Sequence, residues 1–192
     1  MMRGPFVAVM WRTLAFLCVS LLFFSACSSD DAYTVYSRYK ASFTYDRVMT
    51  TTPLKNALTG PGEFCTISLI PKQLVFQSLN MSQKVDITAA AAYQKFVSIQ
   101  NHGFIVGLPN SIELGHDYFS IVCFDIVCSN CYKEEYITRD LTLQEGGFAY
   151  CSRCKRRYNL NNLGIVEGLP AGKPLERYRI AYDSMNRMTI TN

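Results

Sequence analysis

Short segments in which apolar and polar residues alternate recur along most of the chain. The alternation has a period of two, and its apolar positions are rich in β-branched and aromatic residues, which is typical of half-buried β-strands. We therefore predict an all-β domain, a small β-sandwich or barrel with long connections. The predicted strands are residues 33–36, 41–45, 63–69, 85–88, 103–107 and 118–124, with a closing hairpin of 177–182 and 187–191; only 89–96 has a helical pattern.

The first 26 residues have the composition of a secretory leader. Arg3 and Arg12 precede an apolar run from Leu14 to Phe24, and small residues follow it just before Cys27. The run is shorter than the roughly 20 apolar residues that a membrane-spanning helix needs. This segment resembles the lipobox of bacterial lipoproteins, which implies cleavage before Cys27 and attachment of the lipid to Cys27. The alternatives are an uncleaved anchor and an ordinary signal peptide that happens to meet a cysteine.

The lipobox resemblance divides the chain into three parts. These are a signal peptide (1–26), a lipidated polar tether (27–32) and one β-domain (33–192). Removing the leader removes two of the 19 Lys and Arg residues and none of the 15 acidic residues, so the mature chain is close to neutral. A near-neutral exported chain is a poor candidate for a nucleic-acid-binding protein.

The predicted lipid anchor also gives the expected location and partners. It places the protein in the bacterial cell envelope, attached to a membrane, with the outer membrane favoured and either face open. The membrane itself is then one partner, and an envelope redox protein or another protein of the envelope is a possible second partner.

Four cysteines of the predicted domain have the spacing of a metal site. Cys128, Cys131, Cys151 and Cys154 form the pattern C-x2-C-x19-C-x2-C. Two intervening residues let a tight turn direct both sulfurs to one point, and a second such turn completes four soft ligands for zinc or iron. Residues 136–138, 141–143 and 148–150, with Gly146 and Gly147 between the last two, predict a hairpin that brings the two pairs face to face.

The segment after the second pair resembles the C-terminal half of Rieske-type domains. In that family a ligand loop is followed by an aromatic residue, a Gly-rich turn, a Gly-Pro-Ala step, Pro-Leu and a closing hairpin. The strand 119–128 resembles the strand that delivers the first ligand loop. The matching residues here are Tyr158, Gly164, Gly168, Pro170, Ala171, Pro174, Leu175 and Tyr178. The resemblance covers roughly the last 90 residues and implies a Rieske-like β-fold with two cysteine-bearing loops.

The ligand set differs from that of a Rieske cluster, which is held by two cysteines and two histidines. By this matching, Cys128 and Cys151 stand at the two cysteine positions. Asn130 stands where the first histidine would be, and Cys154 replaces the second. The two histidines of the chain, His102 and His116, both lie upstream of the matched loops. We therefore expect a Rieske-like fold with altered ligands.

Three states of the four cysteines stay open at this point: a zinc or other single metal ion, two disulfides, or a 2Fe-2S cluster. Iron–sulfur proteins generally cross a membrane folded, commonly behind a twin-arginine signal, and Arg3 and Arg12 are not adjacent. Unfolded export is therefore favoured, and it delivers free thiols to a compartment that promotes disulfides.

Our first functional hypothesis is a lipid-anchored binding or structural module rather than an enzyme. The alternative is an iron–sulfur electron-transfer protein of the cell envelope. A thiol–disulfide oxidoreductase is less favoured, because neither Cys-x-x-Cys pair is followed by a helical pattern. Cys65 and Cys123 lie in apolar strands and are expected to pack as small hydrophobic residues. The basic cluster of Arg153, Lys155, Arg156 and Arg157 is either a solvated face or a site for an anionic partner.

The lipid anchor is tested at Cys27. We predict that Cys27→Ser releases the protein from the membrane fraction, because the acyl chains are its attachment. Fractionation with immunoblotting measures the release. A protein that is cleaved normally and stays in the membrane fraction without Cys27 would disprove the lipid anchor.

Overall fold

In the computed structural model, twelve strands and two short helices are found among the described residues, which are 36–87, 96–112, 119–183 and 186–192. The prediction of an all-β domain is confirmed. The strands are β1 (Ser42–Tyr45), β2 (Glu63–Ile70), β3 (Gln73–Gln77), β4 (Ser82–Asp86), β5 (Gly103–Leu108), β6 (Val122–Asp125), β7 (Thr142–Gln144), β8 (Phe148–Tyr150), β9 (Arg157–Asn159), β10 (Ile165–Glu167), β11 (Arg177–Tyr182) and β12 (Met188–Thr191). The helices are α1 (Thr52–Thr59) and α2 (Ser129–Glu135), and two 3-10 turns occupy Val48–Thr50 and Ile99–Asn101.

The strands form two antiparallel sheets. The larger sheet has the order β1-β12-β11-β6-β5-β2-β3-β4, and the smaller has the order β10-β9-β8-β7. The predicted closing hairpin is confirmed, because β11 and β12 pair from Arg179 with Thr191 to Tyr182 with Met188. All described residues fall within one compact unit, Val35–Asn192.

The central strands of the large sheet are buried on both faces, which is why they are apolar almost without interruption. On β5, Phe104 and Val106 face one hydrophobic core, and Ile105 between them faces the other. The first core is covered by α1 and by aromatic residues of β1 and β3. The second core lies toward the small sheet and contains Tyr158 together with Cys128, Cys131 and Cys151. The cysteine-bearing loops therefore rest on the most buried part of the fold.

Both helices were missed by the alternation pattern. Helix α1 has Pro53 in its first turn and buries Leu54, Ala57 and Leu58, which have a helical and not an alternating spacing. Helix α2 is a direct correction, because Cys128 is its N-cap residue. The expectation that neither Cys-x-x-Cys pair is followed by a helix is therefore wrong for the first pair.

Several strand boundaries also differ from the prediction. β4 begins at Ser82 and ends at Asp86, and β6 begins only at Val122. Residues 136–138 form no strand; the predicted hairpin across Gly146 and Gly147 consists of β7 and β8. The predicted strand 33–36 and the predicted helix 89–96 fall almost wholly outside the described residues, as do the leader and the tether, so these stay predictions.

A buried carboxyl group joins the large sheet to the first cysteine loop. Asp125, at the end of β6, is fully buried, and its oxygens accept hydrogen bonds from the backbone N–H groups of Ile99 (2.9 Å) and Val127 (2.8 Å) and from the hydroxyl of Tyr178 (3.0 Å). Burial raises the pKa of Asp125 to about 6, although the three donors favour its ionised form. This side chain thus fixes the direction in which the chain leaves β6 toward Cys128.

The raised pKa of Asp125 gives a prediction about stability and pH. The folded state binds this proton more tightly than the unfolded state does, so the contribution is fully present below pH ~4 and is lost as the pH rises through about 6. Relative to Asp125→Asn, the wild type should lose about 2 to 3 kcal/mol of unfolding free energy between pH 4 and pH 7. Denaturant titrations of both proteins at each pH measure this difference. A difference that does not change with pH would contradict the assignment.

Candidate metal centre

The four cysteines of the C-x2-C-x19-C-x2-C pattern converge on one point. Their sulfurs all lie within 4.8 Å of one another. The Sγ atoms of Cys128 and Cys154 are 3.6 Å apart, and those of Cys131 and Cys151 are 3.7 Å apart. Both of these short contacts join one loop to the other, so the arrangement holds the two loops together rather than closing each loop on itself.

The first pair is positioned by the transition from strand to helix. The N–H of Cys128 donates to the carbonyl of Arg139 (2.9 Å), which closes the base of the loop, and the carbonyl of Cys128 accepts from Tyr132 in the first turn of α2 (3.0 Å). The backbone N–H of Cys131 donates to the Cys128 sulfur. The helical turn therefore places both sulfurs on the same side and supplies one of them with a hydrogen-bond donor.

The second pair lies on a tight turn that follows β8. The N–H of Cys151 donates to the carbonyl of Arg156, and the N–H of Lys155 donates to the carbonyl of Cys151, each at 3.0 Å. Lys155 has φ of 60°, in the left-handed region that favours glycine, and this conformation reverses the chain just after Cys154. The backbone N–H of Arg156 then donates to the Cys154 sulfur. In both loops a backbone donor thus meets a sulfur.

A tyrosine and an asparagine form a buried network beside Cys128. The hydroxyl of Tyr158 is 3.0 Å from the Cys128 sulfur and accepts a hydrogen bond from Nδ2 of Asn130 at 2.8 Å. The amide of Asn130 is oriented by Lys173, whose carbonyl accepts from Nδ2 and whose N–H donates to Oδ1, each at 2.8 Å. Because Nδ2 can only donate, the proton of the Tyr158 hydroxyl is left for the sulfur. The network therefore presents a donor to Cys128, as a thiolate ligand requires.

Asn130 therefore has a role that the sequence comparison did not give it. At the position matched to a histidine ligand, it holds Tyr158 and the backbone of Lys173 in place. The pattern singled out Tyr158 only as an aromatic residue after the second loop. Its hydroxyl could not be assigned a partner from sequence, because the contact joins residues that are 30 positions apart in the chain.

The electrostatics of the first cysteine pair favour bound protons. Burial raises the pKa of Cys128 to about 11 and also raises the pKa of Cys131. Burial acts in the same direction on Cys154, but the hydrogen bond from Arg156 N–H and the neighbouring thiols outweigh it and lower its pKa. A cation that binds here must displace protons, so its affinity should increase with pH.

The basic cluster after Cys151 is largely paired with carboxylates. Arg153 forms an ion pair with Glu135, and Arg156 forms one with Glu134 (3.2 Å). Both glutamates belong to α2, so these ion pairs connect the two cysteine loops at the surface. Arg157 pairs with Glu167 of β10 in the same way (2.8 Å). The cluster is thus a set of cross-links around the site, and Lys155 alone of the four lacks an ion pair within the described residues.

The other cysteines and histidines do not join the site. Cys65 and Cys123 both pair with Val106, on opposite sides of β5. A strand between them separates their backbones by roughly 10 Å, beyond the ~7 Å limit for a disulfide. Both are buried and have raised pKa values, as expected for packing residues. His102 hydrogen-bonds Asp140 at 2.6 Å, whereas His116 and Cys27 lie outside the described residues.

Comparisons with known proteins place this chain in no family. No protein-family model matches it, and no curated protein sequence is significantly similar to it. Within the residues that the structure describes, no helix is long and apolar enough to cross a membrane.

Tyr158 provides a test of the site. We predict that Tyr158→Phe lowers metal affinity by about tenfold to a hundredfold, the usual effect of removing a hydrogen bond to a ligand, while the ring keeps its packing. Competition with a chromophoric chelator measures the affinity. Tyr150→Phe is the matched control, because Tyr150 lies next to Cys151 and its hydroxyl makes no hydrogen bond among the described residues. Equal affinities of the two variants would contradict the role given to Tyr158.

Proposed function

We propose that Cys128, Cys131, Cys151 and Cys154 bind a single metal ion, with zinc as the preferred occupant, and that the ion stabilises a lipid-anchored binding or structural module. The observation that carries this proposal is the spacing of the sulfurs. Four sulfurs at about 2.3 Å from a tetrahedral ion are about 3.8 Å from one another. The two closest contacts, at 3.6 and 3.7 Å, match this value, and every other separation is at most 4.8 Å.

The same spacing of the sulfurs favours a single metal ion over two disulfides or a 2Fe-2S cluster. A disulfide needs an S–S distance of about 2.0 Å, and all six cysteines of the described residues are free. A 2Fe-2S cluster distributes its ligands over two irons, so it needs two pairs of sulfurs set apart rather than four sulfurs around one centre. Zinc is also the ion that an exported, unfolded chain can acquire after crossing the membrane without dedicated cluster assembly.

The closed character of the site supports a structural role. Cys128, Cys131 and Cys151 are almost completely buried, and only Cys154 is partly exposed. Four protein ligands fill a tetrahedral zinc sphere and leave no position for a substrate or a water molecule, whereas catalytic zinc sites keep one open. The free energy of binding at such a site is used to hold its loops. Here those are the two loops that lie on the second hydrophobic core.

We also propose that the domain is Rieske-like, with this ion in place of the cluster, and that Cys27 anchors it in the bacterial envelope. The proposal of a Rieske-like domain is supported by the ordered motifs from Tyr158 to Tyr178. It is also supported by the small sheet β7–β10, which carries the second cysteine loop beside the first. An anchored, closed zinc site would present the rest of the domain to partners in the envelope.

The ligand set is tested by serine substitutions. Each of Cys128→Ser, Cys131→Ser, Cys151→Ser and Cys154→Ser should reduce bound metal and lower the unfolding free energy, because each removes one of four ligands. Cys65→Ser and Cys123→Ser are matched controls and should keep a full metal content while losing packing stability. Elemental analysis of the natively expressed protein and thermal unfolding provide the two measurements.

Three results would contradict the proposal. Full metal content after Cys154→Ser would point to a different ligand set. A metal-free protein with disulfides among these four positions would replace the ion with covalent cross-links. Visible absorption bands typical of iron–thiolate centres, with iron in the elemental analysis, would favour the electron-transfer function instead.

A further inference from the structure

The large sheet has a gap between β11 and the segment that precedes β6. Strands β11 and β6 pair only at Arg177 with Phe124 and at Tyr178 with Cys123. Beyond Tyr178, the only described strand that pairs with β11 is β12. If the ladder continued, Ile180 would face Ile121 and Tyr182 would face Phe119. No backbone hydrogen bond joins these residues, all of which are described. The sheet is therefore open between residues 180–182 of β11 and the segment 119–121.

The backbone groups that point into this gap follow from strand alternation. On the β6 side, the N–H of Asp125 donates to the carbonyl of Glu176 (2.9 Å), and on the β12 side the N–H of Asp183 donates to the carbonyl of Arg187 (3.0 Å). Because neighbouring residues of a strand direct their backbone groups to opposite sides, those of Ile180 and Tyr182 face the gap. Among the described residues, the backbone groups of Ile180 and Tyr182 on this edge of β11 therefore have no partner.

A cavity of about 820 Å³ occupies the gap. Arg179, Ile180, Ala181 and Tyr182 all line it, although successive residues of a strand point to opposite faces of the sheet. A cavity on one face would be lined by every second residue only. This one spans the gap, and because Thr189 and Thr191 of β12 also line it, it continues over the outer face of the sheet. Its opposite wall is the segment Phe119, Ser120 and Ile121.

The two faces of the cavity differ in chemistry. Ile121, Ile180 and Tyr182 border the first hydrophobic core and are only partly buried. On the outer face, the guanidinium of Arg179 lies 4.5 Å from the ring of Tyr36 and forms no ion pair with a described residue. No acidic side chain lines the cavity in the described part of the chain. A segment inserted here would meet apolar surface on one side and positive charge on the other.

We propose that this gap binds an extended peptide segment of a partner protein, in which apolar and acidic residues alternate. The segment adds a strand to the edge of β11, with its backbone bonded to Ile180 and Tyr182. Its apolar side chains face the first core, and its carboxylates face Arg179. This binding site lies apart from the four cysteines, so it does not depend on which ion they hold.

The test uses the full-length protein purified in detergent and a synthetic probe. The four residues of open edge span about 13 Å, so a peptide of about seven residues covers them. The probe alternates valine and glutamate and carries fluorescein at its N-terminus. Fluorescence anisotropy should show saturable binding, and the same peptide with lysine in place of glutamate should bind about five- to tenfold more weakly because its charge is reversed.

Two protein variants and one modified peptide test the mode of binding. Arg179→Glu should reverse the preference in favour of the lysine peptide, while Arg47→Glu, a change of equal charge at an exposed site away from the cavity, should leave it unchanged. N-methylation of the valines removes backbone donors and should abolish binding. In amide exchange followed by NMR, the probe should slow exchange at Ile180 and Tyr182 and leave Ala181 unchanged, since the N–H of Ala181 faces β12.

Several outcomes would overturn the proposal. Equal binding of the N-methylated peptide would exclude strand addition, and an unchanged preference in a folded Arg179→Glu variant would exclude the charge assignment. Protection of Ile180 and Tyr182 that increases with protein concentration, without probe, would assign the gap to a second copy of this chain. The absence of saturable binding by wild type would exclude a peptide site of this chemistry.

Discussion

The convergence of four sulfurs in a buried volume is the constraint on which the C-terminal half of this protein depends. Buried thiolates are unfavourable without a compensating charge, and the raised pKa values of Cys128 and Cys131 express that cost. A divalent ion bound here would offset it, and backbone N–H groups and the Tyr158 hydroxyl reduce it further. The surroundings of the site are accordingly made of hydrogen-bond donors, held in place by Asn130 and by ion pairs between the loops.

The site rests on strands that are buried on both faces. β5 separates two hydrophobic cores, and Asp125 links the end of β6 to the 3-10 turn at Ile99 and to β11. The first cysteine loop leaves the sheet at this junction. Displacement of the loop would therefore disturb both the carboxyl network and the second core, which keeps the ligand positions fixed relative to the sheet.

The sequence was informative where a local pattern determines the structure. Alternation identified the all-β class and the β11–β12 hairpin, and the cysteine spacing identified which four sulfurs meet. The sequence did not predict helix α2, because the segment Ser129–Glu135 is short and its helical conformation depends on the contacts of Cys128 rather than on an apolar face. It also could not find the Asn130–Tyr158–Lys173 network, since those contacts join distant residues and depend on tertiary packing. The opening of the sheet beside β11 is likewise a property of strand pairing, which alternation alone does not specify.

The position of Cys65 and Cys123 on either side of β5 has a consequence for how the chain reaches its native state. Six thiols can pair in fifteen ways, and four thiols in three. Once β2, β5 and β6 have assembled, Val106 stands between Cys65 and Cys123 and both sulfurs are enclosed. Early formation of this three-stranded unit would therefore prevent most of the wrong disulfides. The remaining four thiols could then either bind an ion or be oxidised.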